Sequence, residues 1–248
     1  MRIRQFVVVA RDLEKAVADL TAVLGIEVAF HDPSVREFGL CNAVMPVGDT
    51  FLEVVSPVDA SATAQRYLER RRGDGGYMLI LQCDDLDRDR ERLAALGVRT
   101  VWKADLAAIR GTHLHPKDTG GTLLSLDDAR PPDSWHWAGP EWRSHVRRDV
   151  ADSITAAEIQ SGDPGALARR WAEILDRPAR ESSLGRFEIA LDRSWLRFVP
   201  DTDGRGEGLG GFDVRAIDRG SILRTAQERG GAVAADQVTI AGVRIRLT

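Results

Sequence analysis

The sequence predicts an α+β protein built from a strand–helix–three-strand (βαβββ) module that recurs along two tandem halves. Three observations carry this. A β-branched run, IRQFVVVA, leads into an amphipathic helix that ends at glycine, and GGYMLILQCDD followed by DLDRDRERLAALG repeats that order. Each pair is followed by short strand candidates separated by turn residues. The same order returns in weaker form after residue 150, where GLGGFDVRAID matches the earlier GDGGYMLILQCDD.

In the first module Leu13, Val17, Leu20 and Leu24 have helical spacing, with Asp12 as N-cap and Gly25 as C-cap. Strands are expected over 26–30, 38–47 and 50–56, the last two joined by a turn at Gly48 and Asp49. A helix over 64–72 leads to the second module, whose later strands are expected over 98–102, 109–115 and 121–127. Residues 129–144, ARPPDSWHWAGPEWRS, break all periodicity with prolines, a glycine and three tryptophans. Such rings are costly to leave in water, so this connector is expected to pack as glue between the halves. Beyond it, Asp163 and Pro164 open a helix at its favoured cap and first positions. Strands GRFEIAL and SWLRFVP, a second glycine-ended helix and the hairpin VTIAGVRIRLT complete the chain. The expected domains are 1–128, a connector over 129–149, and a shortened second domain over 150–248.

The chain has 248 residues, 43% apolar and 29% charged, with a net charge of −4, ordinary values for a globular protein with a real core. Its arginines are balanced by acids, which excludes the basic field that attracts nucleic acid. Cys41 and Cys83 are too few for a disulfide framework and read as buried thiols in a reducing compartment. No apolar run reaches the roughly 20 residues that span a bilayer, and the first residues lack signal-peptide order. A cytoplasmic protein is expected, with no nucleic-acid or membrane partner, as a monomer or homodimer.

The segments VVVARDLEKAVADLTAVLGIEV, TFLEVVSP, GGYMLILQCDDLD and LHPKDTGGTLLSLD resemble the vicinal-oxygen-chelate superfamily, also called the glyoxalase and bleomycin-resistance family, and within it the methylmalonyl-CoA epimerase-like members. The likeness runs in order through residues 1–128, and 150–248 look like a shortened second copy. The resemblance implies paired modules whose sheets curl around a cavity. It also implies a divalent metal held by four side chains, usually His, Glu or Gln, His and Glu, acting as Lewis acid beside a proton-moving carboxylate.

Those four positions fall on Gln5, Glu53, Met78 and Ser125. An amide coordinates weakly, a thioether does not suit an oxygen-rich site, and only Glu53 is a strong donor, so no metal and no cofactor are expected. The corresponding second-half positions are Ala156, Arg197, Asp213 and Arg246, where two arginines facing one another would repel a cation.

His113 and His115 would share one face of a strand, as a chelating pair does, but HPKDTGG also reads as the bend into the last strand. His113 alone could be an acid or base, or a half-buried histidine on a backbone partner. Glu53, in an apolar strand without an obvious partner, should have a raised pKa and could act as a base; alternatively it is a relic carboxylate paired with Arg or Gln5. Gln82 either lines the cavity with Gln5, Met78 and Ser125 or sits at a solvated edge. Arg70, Arg71 and Arg72 could meet coenzyme A phosphates, or simply offset a helix dipole in solvent.

The expected function is therefore binding of a small organic ligand in the N-terminal cavity, with the metal centre mostly lost. The alternative is an isomerase (epimerase) or lyase acting on a carbonyl or acyl-CoA substrate, with Glu53 and His113 as its catalytic pair.

Overall fold

The computed structural model describes residues 1–182 and 185–248. The first module is β1 (Arg2–Val9), α1 (Leu13–Leu24), β2 (Leu40–Val47) and β3 (Thr50–Pro57), and α2 (Thr63–Arg71) follows. The second is β4 (Gly75–Gln82), α3 (Leu86–Ala95), β5 (Thr100–Asp105), β6 (Ile109–Leu114) and β7 (Leu123–Ala129). The third is β8 (Ala151–Ser161), α4 (Pro164–Leu175), β9 (Ala179–Glu181), β10 (Phe187–Ala190) and β11 (Trp195–Pro200). The fourth is β12 (Gly208–Ala216), α5 (Arg219–Glu228), β13 (Ala232–Val233), β14 (Gln237–Ile240) and β15 (Val243–Leu247). No helix among the described residues is long and apolar enough to cross a membrane.

Local chemistry moves several expected boundaries. Residues 26–30 form no strand beyond a bridge between Phe30 and Val44, because Asp32 caps a 3-10 helix at Pro33–Phe38 and turns the chain away. That helix ends on Gly39 in the left-handed region, so β2 starts at Leu40 rather than 38. Val98 donates back to the Leu93 carbonyl at the end of α3, which delays β5 to Thr100. Gly120 and Gly121, both at positive φ, make the turn that starts β7 at Leu123.

The strands of the first two modules form a seven-stranded sheet in the order β2-β3-β1-β4-β7-β6-β5. Those of the last two form an eight-stranded sheet in the order β13-β14-β15-β12-β8-β11-β10-β9. Compaction follows a different rule: the chain packs as two compact units, each combining a module from the first half with one from the second.

One unit comprises residues 1–4, 77–136 and 156–209. Its HPKDTGG loop is a socket: Trp171 of α4 donates to the Thr119 carbonyl at 3.2 Å and stacks edge-on against Phe198. A side chain on Gly120 would meet Leu167 at 2.6 Å, and one on Gly121 the Glu207 carbonyl at 2.6 Å, so both glycines are required for close approach as well as for φ. His115 accepts from the Lys117 N–H and caps the 3-10 helix Pro116–Asp118. The other unit comprises residues 5–76, 137–155 and 210–248; there α1 packs on α5, and Phe6 meets Phe212 at 4.8 Å.

The connector is ordered and divided at His136. Trp135 is fully buried under Arg4, whose guanidinium also donates to the Asp133 and Ser134 carbonyls. Trp142 is buried edge-on against Phe51 at 5.0 Å. Both rings thus pack on residues of the first half. Both cysteines are free thiols; Cys83 is buried, whereas Cys41 is only half-buried, its thiol donating to the Ser56 carbonyl at 3.6 Å.

Candidate functional site

The hairpin turn at Gly48 sets the register of β2 on β3, so that Val44 lies opposite Glu53 and Asn42 opposite Val55. On the other side β1 runs parallel to β3, with Val7 beside Glu53 and Gln5 beside Phe51. Side chains alternate along a strand, so Gln5, Asn42 and Glu53 share one face, with both amides diagonal to the carboxylate and within reach of it. Gln5 Nε2 donates to Glu53 Oε2 at 2.6 Å, and Asn42 Nδ2 donates to Oε1 at 2.6 Å. The three are 1%, 3% and 7% exposed.

Burial pushes the Glu53 carboxyl up to about 7, while the bonds from Asn42 and Gln5 pull against it and Asp32 adds a small push upward. Two neutral donors offset desolvation only in part, whereas a paired cation would have held the group ionised. Glu53 is thus paired with Gln5, as the alternative reading of it expected, and with Asn42, and still has the raised pKa expected of it. Asn42 in turn is fixed: its Oδ1 accepts from the Asp32 N–H at 2.8 Å, and its backbone carbonyl meets His31 Nδ1 at 2.6 Å.

Asn42 and Asp32 are absent from the sequence-based candidates. A signal for Asn42 existed, because the Gly48–Asp49 turn fixes the pairing and Asn42 is a lone amide in an apolar strand.

The other four candidates lie in the second module, in the other unit. Register aligns Met78 and Gln82 on β4 with Leu123 and Asp127 on β7, and His113 on β6 with Ser125. Period two then puts Met78, Gln82, His113 and Ser125 on one face; Thr112, bonded to Arg90 of α3, points the opposite way. Each is engaged. Gln82 is buried, not solvated, accepting from Arg2 and donating to the Pro132 carbonyl at 2.6 Å. The Ser125 hydroxyl bonds Asp127, a buried carboxylate that the sequence reading missed, and the Thr112 carbonyl. Gly111, opposite Asp127, leaves room for that carboxylate: a side chain there would approach Oδ2 at 3.0 Å.

His113 is half-buried and stacks on Trp102 at a centroid distance of 4.3 Å. Burial lowers its pKa to about 4, so at neutral pH it is an uncharged ring rather than a titrating acid or base. It does not chelate with His115, whose Nδ1 is committed to the Lys117 N–H outside the strand.

The donor set implied for a metal does not fit. Met78 offers a thioether, the Ser125 hydroxyl is committed to Asp127, and both Glu53 oxygens are taken by amides. Among the described residues no group of three or more His, Cys, Asp or Glu is placed to hold a metal ion.

In the second half, Ala156 offers no donor. Arg197 pairs with Glu158 at 3.5 Å and Arg246 with Asp236 at 3.5 Å. The expectation of two arginines facing one another is thereby corrected: each has an acid neighbour, and they belong to different units. Of the arginine run that closes α2, Arg70 and Arg72 are exposed, as the solvated reading expects, with Arg70 over the Tyr67 ring, whereas Arg71 is fully buried.

Three comparisons bear on this geometry. The glyoxalase-like domain family matches residues 6–175. Mitochondrial methylmalonyl-CoA epimerase from Homo sapiens is 25% identical over 131 residues, 52% of this chain and 74% of that protein; the Mus musculus protein is 28% identical over 134 residues, with 52% and 73% covered. A crystal structure of a hypothetical protein from Staphylococcus aureus superposes over 99% of this chain and 98% of its own, with a TM-score of 0.69 at 11% identity, which shows a shared fold. The four-module architecture and a family match over more than half the residues together place this chain in the glyoxalase-like, vicinal-oxygen-chelate superfamily, with similarity to the methylmalonyl-CoA epimerases.

Proposed function

We propose that the protein binds a small organic carbonyl or acyl compound at the face of the first module that carries Glu53, and that Glu53 moves a proton at the carbon next to its carbonyl. One observation carries this reading: a buried carboxyl balanced near neutrality on two amides. A general base works best when its pKa lies near the operating pH, because it is then both ionised often enough and basic enough. The apolar surroundings that raise the pKa also exclude water from a carbanion-like intermediate.

The names of the relatives supply the first probe, methylmalonyl-CoA. Incubated with it in heavy water, the protein should incorporate deuterium at the carbon between the two carbonyls, and Glu53→Gln should not. Equal incorporation by both proteins removes Glu53 from the chemistry. The free thiols Cys41 and Cys83 support a reducing, cytoplasmic setting for this activity.

A second reading is favoured by a specific feature: both Glu53 oxygens already carry a hydrogen bond. In that reading the protein sequesters its ligand without turning it over. Calorimetry with methylmalonyl-CoA separates the two, since heat of binding without exchange leaves only the binder.

A further inference from the structure

The hairpin of β10 and β11 has two faces, because side chains alternate along each strand. Leu196 and Phe198, with Ile189 and Phe187 opposite them, turn toward α4, where Trp171 meets Phe198 and a side chain on Gly165 would touch Phe187 at 3.0 Å. The other face carries Trp195 opposite Ala190 and Arg197 opposite Glu188. Trp195 is 47% exposed, although so large an apolar ring is costly to leave in water. Its neighbour on β8, Ala156, is buried, whereas Ala190 is exposed. The open space beside the ring therefore lies over Ala190, a side chain too small to fill it. One step along the same face Arg197 is only 7% exposed and pairs with Glu158 of β8 at 3.5 Å.

We propose that this face is a second ligand site, a slot for a neutral planar heterocycle that carries a carbonyl and N–H groups side by side on one edge, as guanine does. Ala190 forms its floor and Trp195 a wall on which the ring stacks. At the end of the slot Glu188 and Arg197 stand directly opposite one another, with their Cβ atoms about 5 Å apart. The guanidinium offers N–H donors and the carboxylate two acceptor oxygens, so the ligand's carbonyl meets Arg197 while its adjacent N–H groups meet Glu188. Charge decides against an ionic ligand. Arg180, Glu188, Arg197 and Glu158 alternate in sign across β9, β10, β11 and β8, so an anion or a cation placed there meets repulsion beside every attraction. The slot lies in the third module and needs nothing from Glu53.

Calorimetry on the full chain tests this with three probes: guanosine, the anion benzoate and the cation benzylamine. Guanosine should bind with a Kd below about 1 mM and at least about tenfold more tightly than either ion. Trp195→Leu, at an exposed position, should weaken guanosine binding about tenfold, the usual worth of stacking one base, with an unchanged urea midpoint. Guanosine should also quench tryptophan fluorescence in the parent and not in Trp195→Leu. Glu188→Ala should weaken guanosine binding about tenfold and leave benzoate no weaker; should that variant fail to fold, Glu188→Gln makes the same measurement. A parent that takes up no guanosine at about 1 mM, that binds benzoate or benzylamine as tightly, or that loses nothing on Trp195→Leu overturns the assignment.

Discussion

The first and second modules share a strand order and a helix, yet they treat the corresponding polar positions in opposite ways. In the first, Glu53 is buried between two neutral amides and stays able to gain or lose a proton near pH 7. In the second, Ser125 is spent on Asp127, Gln82 on Arg2 and the Pro132 carbonyl, and His113 is driven to the uncharged form against Trp102. The difference shows that burial alone does not make a functional group. What matters is whether the partners leave the group a choice of protonation state.

The largest expected effect breaks the comparison directly. Glu53→Gln should reduce deuterium incorporation about a hundredfold or more, the usual worth of a general base, whereas Ser125→Ala should leave the rate within about threefold. If Ser125→Ala is the more damaging, the active carboxyl lies in the wrong module. Next comes stability. Trp171→Ala removes a buried ring and its bond to Thr119 and should cost about 3–5 kcal/mol in urea denaturation, because the HPKDTGG loop serves as a socket and not as a ligand shell.

The titrations of Glu53 and His113 supply a sharper contrast. Glu53 is raised from 4.5 to about 7 in the folded state, so its contribution is complete below 4.5 and is lost as pH rises through 7, roughly 3 kcal/mol in all. His113 is lowered from 6.5 to about 4, so its contribution is complete above 6.5 and is lost as pH falls toward 4. Between 4.5 and 6.5 the two oppose each other, and the parent should show a shallow pH dependence. Glu53→Gln should become more stable as pH rises through that window, and His113→Gln less stable. Parallel slopes in the two variants would show that these groups do not carry the shifts. The smallest effect belongs to Met78→Leu, a volume-conserving change that should cost under about 1.5 kcal/mol and leave deuterium incorporation unchanged.

Much of this architecture was legible in the residues. Glycine-ended amphipathic helices and β-branched runs marked the repeated module, and the strand TFLEVVSP singled out Glu53 because a carboxylate there has no local escape to water. Asn42 could have been read from the Gly48–Asp49 turn, since hairpin register follows from turn position. The missing strand over 26–30 was hidden because Asp32 and Pro33 override the extended preference of the residues before them.

Pattern and turn chemistry act over a few residues, so the sequence by itself determined which segments become strands and helices, where the hairpins close and that the module recurs. Tertiary structure decided the rest: which module packs with which, that HPKDTGG serves as a socket for Trp171, that the connector divides at His136, and that Glu53 settles near neutrality. Those outcomes depend on groups far apart in the chain whose approach sets both desolvation and hydrogen bonding, and a local pattern carries no record of distances that only folding creates.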